Sequence, residues 1–403
     1  MASRKCDELT EPRGLRIPWR AVVTAVLFAS TAALAQTVPG APQPVDALTQ
    51  KLTTKLQEMR DAEGFPGATV GFVLPDGRTF SLATGLADVE AKTPMRASDR
   101  MFSGSIGKTY VAALMLKLVE EGKASLDEKI SYWLGDKPWF GRLPNAKQIT
   151  LRSLLNHTSG IPNHAEDKEF FEAVKKDPND AQTHERLIGY VLDKPPLAPV
   201  GTKFAYADTN YILIGLIIEK ITGKSYYSVL EQQILQPLHL NDTLSSDQRV
   251  MPGVVSGYID SDNPFGLPAK VCTNGRDVLN PAIEWTGGGL ASTAGDLARW
   301  GWLLLGGRVL KEASLKEMLT GVEIGPGIKY GLGIGIVDTR LGPAYGHNGE
   351  FPGFGSTLMY FPRYRISVAV QVNTDPEGKA KTPGREGAID LAEIIVEHIQ
   401  AHK

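Results

Sequence analysis

Cysteine is scarce in this sequence, which has Cys6 and Cys272 among its 403 residues. Neither sign of charge dominates, because 43 Lys and Arg stand against 45 Asp and Glu, for a net charge of -2. A disulfide framework is therefore excluded as the source of stability, and charge gives no reason to expect a nucleic-acid partner. The H-E-x-x-H, Walker A and Rossmann motifs are absent, so we expect neither a metal nor a cofactor.

Long apolar runs are also missing, apart from one of 15 residues over 21–35. Basic residues precede it, and Ala33-Leu34-Ala35 ends it with the small-x-small pattern of a cleavage site. A membrane anchor is the alternative, but a span needs about 20 apolar residues. We interpret 1–35 as a signal peptide and 36–44 as a linker, and predict a periplasmic or secreted protein without a stable membrane anchor. Cys272 is then the one remaining thiol, which we interpret as buried or idle.

Hydrophobic periodicity predicts a mixture of helices and strands. Helices are predicted over 46–63, 106–121, 151–155, 170–175, 184–192, 209–221, 294–305 and 388–401. Strands are predicted over 67–73, 78–84, 330–337, 344–347, 353–361 and 366–372. Pro75-Asp76-Gly77 lies between the first two strands and indicates a hairpin. The apolar helix at 209–221 is too short to span a membrane, so we expect it in the core.

This order of elements predicts an α+β fold. One antiparallel sheet is built from both ends of the chain, and a mostly helical region is inserted between them. We predict one catalytic domain over 45–403, with an α/β lobe of about 45–108 and 325–403 and a helical lobe of about 109–324. A catalytic site is expected where the two lobes meet.

Ser105 and Lys108 form an S-x-x-K pattern at the start of a predicted helix. A serine hydroxyl needs a base before it becomes a good nucleophile, and a lysine three residues later lies on the same helix face. Unpaired N–H groups at the helix start could also stabilise an oxyanion. The pattern is weak by itself, because a helix-capping serine followed by a surface lysine is common.

Tyr206 and His347 are two further candidates. Tyr206 would need its pKa lowered from about 10 to near 7 to act as a base, which costs about 4 kcal/mol. One ammonium about 4 Å away supplies about that much at an effective dielectric of 20. His347-Asn348-Gly349 follows a predicted strand, where the histidine could donate hydrogen bonds and Gly349 would admit a substrate backbone. Taken singly, each residue also suits a purely structural role.

In order along the chain, these three stretches resemble the motifs of the serine beta-lactamase and DD-peptidase superfamily. The branch resembled contains class C beta-lactamases and D-alanyl-D-alanine carboxypeptidases. The stretches at 154–162 (LLNHTSGIP) and 287–290 (GGGL) match it too. The resemblance covers about residues 45–400 and implies the beta-lactamase/transpeptidase fold.

The resemblance also implies roles for individual residues. Ser105 would be the nucleophile, and Lys108 with Tyr206 the pair that moves its proton. The backbone N–H groups of Ser105 and Glu350 would form the oxyanion hole. Four residues would bind substrate, with His347 near the substrate carboxylate or the tyrosine: Asp208, His347, Asn348 and Gly349. In that branch His157 is structural, and we interpret it as binding backbone carbonyls at a helix end.

Asp208 departs from the family pattern, which has Asn there. An ionised Asp only accepts hydrogen bonds, so recognition of a substrate carbonyl is in doubt. We hypothesise instead that Asp208 pairs with Lys108, keeps it charged and makes Tyr206 the base. A partly neutral His347 binds carboxylate less well than Lys, which disfavours efficient beta-lactam turnover.

The predicted function is acyl-enzyme hydrolysis of D-amino-acid peptides or related small amides and esters, as in D-alanyl-D-alanine carboxypeptidases. The alternatives are a carboxylesterase, a beta-lactamase of the same fold, or a penicillin-binding sensor domain without turnover. The expected partner is a small-molecule or peptide substrate, and the sequence leaves the oligomeric state open.

Overall fold

The computed structural model describes residues 44–376 and 382–402. The predicted signal peptide and the predicted linker up to residue 43 lie outside the described residues. Cys272 is buried and carries a free thiol, as expected. Within the described residues, no helix combines the length and hydropathy needed to cross a bilayer.

Helices occupy both ends and the middle of the described chain. The α-helices are α1 (Pro44–Glu63), α2 (Gly107–Glu120), α3 (Ser131–Leu134), α4 (Leu151–Leu155), α5 (Lys168–Lys176), α6 (His184–Gly189), α7 (Asp208–Thr222), α8 (Tyr226–Leu230), α9 (Ala294–Leu305), α10 (Glu312–Met318) and α11 (Gly384–Ala401). A short 3-10 turn, Gly104–Ile106, leads directly into α2. The prediction that the helix at 209–221 lies in the core is confirmed, because most of α7 is buried.

Strands near the two ends of the chain form the main sheet. The strands are β1 (Gly67–Val73), β2 (Thr79–Asp88), β3 (Thr93–Pro94), β4 (Met101–Phe102), β5 (Leu244–Ser245), β6 (Cys272–Thr273), β7 (Arg276–Asp277), β8 (Leu290–Ser292), β9 (Val322–Gly325), β10 (Ile328–Tyr330), β11 (Gly335–Thr339), β12 (Gly342–Phe351), β13 (Phe354–Phe361) and β14 (Ile366–Val372). Nine of them form one sheet in the order β3-β2-β1-β14-β13-β12-β11-β10-β9. Its strand pairs are antiparallel, and β1 lies beside β14, so the predicted sheet from both chain ends is confirmed.

The two faces of this sheet are covered by different helices. Val70 and Phe72 of β1 belong to a core shared with α1 and α11. On the other face, Gly71 lies against α9, where an added Cβ would be 2.0 Å from the carbonyl oxygen of Ala294. Alternation along the strand thus places one helical layer on each face.

The second part of the core joins α9 to α2. Trp300 of α9 stacks on Tyr110 of α2 with ring centroids 4.0 Å apart. Its indole N–H donates to the Thr109 hydroxyl at 2.8 Å. Helix α9 therefore packs on both the sheet and α2, although it lies within the predicted helical lobe. The division into two lobes stays a prediction.

Two predicted elements are wrong in detail, and the short strand β9 was not predicted. The single strand at 330–337 is two strands, β10 and β11, joined by a tight turn in which the Gly331 N–H donates to the Ile334 carbonyl at 2.7 Å. Leu332 and Ile334 of that turn are buried, so an apolar run that resembles a strand is a loop packed into the core. The helix predicted at 184–192 ends at Gly189, and no pattern indicated β9.

Candidate active site

Ser105 lies in the 3-10 turn that precedes α2. Gly104, just before it, has φ +49°, and an added Cβ there would be 2.3 Å from the backbone nitrogen of Glu350. Both the left-handed backbone and the lack of space require glycine at this position. The turn is therefore held close to β12, and Ser105 lies beside the strand that carries the third predicted motif.

Lys108 is fully buried and makes three hydrogen bonds. Its Nζ donates to the Ser105 hydroxyl at 3.0 Å and to Asp208 Oδ1 at 2.5 Å. The third acceptor is the Gly287 carbonyl. An ammonium has three donors and no acceptor, so this set of partners satisfies it completely. The predicted contact between Ser105 and Lys108 is present.

Asp208 is the first residue of α7, and its backbone N–H donates to Asn163 at 3.0 Å. Burial raises the pKa of its carboxyl, but the Lys108 ammonium outweighs this and the pKa lies below its usual value. Burial likewise opposes charge on Lys108, yet the pKa of Lys108 is raised because of Asp208 and Tyr206. The hypothesised pairing of these two residues is thus present, and both pKa directions favour a charged pair.

Tyr206 immediately precedes this helix on a short extended segment. Lys108 Nζ lies 5.0 Å from its ring centroid. Its hydroxyl is buried without a hydrogen bond of regular geometry among the described residues, although Lys108 and Ser105 are close enough to act on it. Burial raises the pKa of Tyr206 above its usual value, because it outweighs the pull of Lys108. The resting tyrosine is therefore protonated.

His157 holds the segment that carries Tyr206. Its ring Nδ1 accepts from the Ala207 N–H at 3.2 Å, and its carbonyl accepts from the Ala205 N–H at 2.9 Å. Nδ1 also lies 3.1 Å from the Asn210 amide nitrogen. The histidine ring packs 4.2 Å from the Tyr206 ring, centroid to centroid. The expectation that its side chain binds helix carbonyls is wrong, because Nδ1 accepts from a backbone N–H instead.

Strand β12 forms the opposite wall of the site. An added Cβ at Gly349 would be 1.8 Å from the Ser103 carbonyl oxygen, so this glycine lets the nucleophile loop approach the strand. The Ser356 hydroxyl donates to the same carbonyl at 2.7 Å. The substrate-binding role of Gly349 stays a prediction, as does the oxyanion hole formed by Ser105 and Glu350. The nearness of Gly104 to the Glu350 nitrogen is compatible with that hole.

Among the described residues, His347 forms a side-chain hydrogen bond with Tyr330 and only a ring contact with Tyr206. The Tyr330 hydroxyl lies 2.9 Å from His347 Nε2, whereas the His347 and Tyr206 ring centroids are 6.3 Å apart. Burial lowers the pKa of His347 to about 4. The expectation of a part-charged histidine near neutral pH is wrong, because burial disfavours the imidazolium.

Two cavities open on Ser105. One, of about 630 Å³, is also lined by Asp208, Gly287 and Glu350. The other, of about 410 Å³, is lined by Tyr206 and by the predicted binding residues His347, Asn348 and Gly349. Glu350 borders both, so Ser105 and Glu350 lie between two spaces that could hold the two sides of a scissile bond.

Sequence reasoning missed Glu284, which lines the larger cavity. Its Oε2 is buried without a hydrogen-bond partner among the described residues. The sequence feature that could have indicated it is an acidic residue between two apolar residues, Ile283 and Trp285, just before the GGGL stretch at 287–290. The reasoning also missed the Gly287 carbonyl as an acceptor for Lys108.

A lysine that donates to a serine hydroxyl three residues before it, where an antiparallel sheet meets buried helices, is typical of the serine hydrolases that carry an S-x-x-K pattern. The chain belongs to the Beta-lactamase family, whose model matches residues 52–393.

Relatives of this chain include penicillin-binding proteins. Penicillin-binding protein 4* of Bacillus subtilis (strain 168) is 26% identical over 309 residues, covering 73% of this chain and 65% of that protein. This chain thus spans slightly less than two thirds of that relative. Penicillin-binding protein 4 of Amycolatopsis lactamdurans is 27% identical, covering 79% of this chain and 84% of that protein.

Solved structures of amide hydrolases are also similar. A D-stereospecific amidohydrolase from Streptomyces sp. is 30% identical with a TM-score of 0.70, covering 82% of this chain and 94% of that one. The D-amino acid amidase from Ochrobactrum anthropi SV3, complexed with D-phenylalanine, shares the fold at 23% identity and a TM-score of 0.74, covering 89% of this chain and all of that one.

Proposed function

We propose that this protein hydrolyses amides of D-amino acids, including short D-peptides, through an acyl-enzyme on Ser105. The observation that carries the proposal is the buried cluster in which Lys108 donates to the Ser105 hydroxyl and is itself paired with Asp208. The Streptomyces relative, described as a D-stereospecific amidohydrolase, supports the choice of D-amino-acid amides.

The reaction has two acyl-transfer steps. The Ser105 oxygen attacks the substrate carbonyl, its proton passes to the base, and the scissile C–N bond breaks as the nitrogen takes up a proton. Water then attacks the resulting ester, the C–O bond to Ser105 breaks, and the serine recovers its proton. Backbone N–H groups of Ser105 and Glu350 would bind the oxyanion in both steps.

Tyr206 is the proposed base, because Asp208 holds Lys108 in its charged form. The Lys108 ammonium would stabilise the phenolate as Tyr206 loses its proton. Since burial keeps the pKa of Tyr206 raised, only a small fraction is deprotonated at neutral pH. We therefore expect acylation to become faster as the pH rises above neutrality.

The lining of the smaller cavity, in which we place the leaving group, favours an uncharged amide over a free carboxylate. Neutral His347 offers no full positive charge to a terminal carboxylate, and none of the described residues lining the smaller cavity is Lys or Arg. Amidase or peptidase action without a terminal carboxylate is therefore preferred to D-alanyl-D-alanine carboxypeptidase action. Esters of the same acyl groups would react by the same steps.

Export remains part of the proposal and rests on the sequence of residues 1–35. A basic segment, an apolar run and Ala33-Leu34-Ala35 are the three parts of a secretory leader. Expression of the full chain in a bacterium should give a product that begins near Gln36 outside the cytoplasm. An intact leader on protein recovered from the cytoplasm would contradict export.

The decisive experiment compares D-phenylalanine amide, its L enantiomer and D-alanyl-D-alanine as substrates. We expect turnover of the D-amide above both others and a transient acyl adduct on Ser105 by mass spectrometry. Ser105→Ala should abolish adduct and turnover, a loss of at least about 10⁴-fold. Undiminished turnover by that variant would overturn the proposal, and a permanent adduct would indicate a sensor.

A further inference from the structure

The larger cavity beside Ser105 is strongly acidic. Seven of the described residues that line it are Asp or Glu, and none of these described residues is Lys or Arg. Apolar rings complete the wall, from Phe170, Phe171, Phe265 and Phe351. Such a lining disfavours an anionic ligand and suits a positive charge attached to an apolar group.

Glu284 is the lining residue that indicates a bound ligand. Its Oε2 is buried and lacks a hydrogen-bond partner among the described residues. The nearby Lys108 does not serve as its counter-ion, because Lys108 directs its three donors to Ser105, Asp208 and Gly287. A buried carboxyl oxygen without a partner is costly, and an ammonium group bound at this carboxyl group would offset that cost.

The position of Glu284 relative to the nucleophile is fixed by a short backbone link. The Gly287 N–H donates to the Glu284 carbonyl at 2.6 Å, while the Gly287 carbonyl accepts from Lys108. Glu284 and Ser105 line the same cavity, so one substrate held at Ser105 has access to Glu284.

We propose that Glu284 binds the free ammonium group of the acyl half of the substrate, whose apolar side chain lies against the phenylalanine rings. The inference rests on the proposed function and narrows it to substrates with an unblocked amino terminus. Substrates in which the amino group of the D-residue is acylated, by a preceding residue or by a cap, are then poor substrates.

The electrostatics of Glu284 agree with this role. Burial raises its pKa to about 8, against the pull of Lys108 and with help from Asp208 and Glu350. An ammonium beside the carboxyl would lower that pKa and ionise the group, forming a charge-assisted hydrogen bond.

The test uses D-phenylalanine p-nitroanilide and its N-acetyl derivative, which share one leaving group. We expect the wild-type kcat/KM for the free amine to exceed that for the acetylated substrate by about 100-fold or more. Glu284→Gln should reduce this preference roughly 30-fold, because an ammonium then faces a neutral amide. Glu169→Gln, which removes an exposed charge from α5, is the matched control and should keep the preference.

Equal turnover of the two substrates by the wild-type protein, with an acyl adduct on Ser105, would overturn the ammonium site and leave the proposed function intact. If Glu284→Gln keeps the preference for the free amine over the acetylated substrate, Glu284 does not bind the ammonium group. If that variant fails to fold, inhibition of the wild type by D-phenylalaninol and by its N-acetyl form decides, and equal inhibition counts against the site. Lack of both turnover and adduct with any amide or ester would overturn both proposals.

Discussion

Asp208 stands where the family pattern has Asn, and its charge alters the protonation of Lys108 and Tyr206. Asp208 lies at the N-terminus of α7 and within 2.5 Å of the lysine, so helix dipole and ion pair both favour its charge. The same negative charge raises the pKa values of Lys108 and Tyr206. An Asn at this position could still accept from Lys108 through its amide oxygen but would remove that charge.

Asp208→Asn is therefore expected to move the rising limb of the pH profile of kcat/KM to lower pH. Loss of the carboxylate lowers the pKa of Lys108 and of Tyr206, so whichever residue acts as base is deprotonated at lower pH. A shift of about 1 to 2 pH units is expected for a charge within this distance. Steady-state kinetics from pH 6 to 10 measure it, since kcat/KM reports the free enzyme.

Asp193→Asn is the control for that experiment, because Asp193 is exposed and paired with Arg142 on the surface. Its profile should match the wild type. A rising limb that stays in place or moves to higher pH in Asp208→Asn would contradict the assignment of Asp208.

At the scale of elements, the site depends on how closely the loop at Ser103 and Gly104, which leads to Ser105, approaches strand β12. Two glycines make that approach possible, Gly104 from the loop and Gly349 from the strand. The Ser356 hydroxyl of β13 also binds the Ser103 carbonyl. Three separate elements thus determine where Ser105 stands relative to the backbone of β12.

Gly349→Ala should reduce kcat/KM by about 100-fold, the cost expected when a reacting group moves by about 1 Å. The new methyl group would overlap the Ser103 carbonyl and push the loop away from the strand. Gly325→Ala, in β9 of the same sheet, is the control, because no atom lies within 4 Å of its added Cβ. Activity in Gly349→Ala close to that of the control would argue against this close contact.

At the scale of the whole molecule, α9 couples the sheet to α2, the helix that carries Lys108. One side of α9 lies on the sheet near Gly71, and Trp300 extends from it to α2. The Thr109 hydroxyl accepts the indole proton and donates to the Ile106 carbonyl at 2.7 Å. The start of α2, and with it Ser105, is therefore anchored to the sheet through buried contacts.

Trp300→Phe is expected to lower the free energy of unfolding by about 2 kcal/mol, because it removes a buried hydrogen bond and leaves unfilled volume. Trp139→Phe should cost less, since the Trp139 indole N–H has no hydrogen-bond partner among the described residues. Urea unfolding monitored by circular dichroism measures both. An equal loss in the two variants would mean that the bond to Thr109 contributes little.

The sequence by itself determined the elements and contacts that depend on near neighbours. Helix periodicity located α1, α7 and α9, and the turn residues at 75–77 located the first hairpin, because these patterns act over a few residues. Lys108 reaches Ser105 for the same reason, since three residues are about one helical turn. The ordered motifs also indicated the family, and with it the sheet built from both chain ends.

Tertiary structure decided the contacts between distant residues. Asp208 contacts Lys108 across 100 positions, Gly349 lies against the Ser103 carbonyl, and Oε2 of Glu284 is left buried without a partner among the described residues. Burial also disfavours the partial charge expected on His347, and the apolar run around Leu332 packs as a loop. None of these follows from local pattern, because distance, desolvation and steric fit arise only when separate segments pack together.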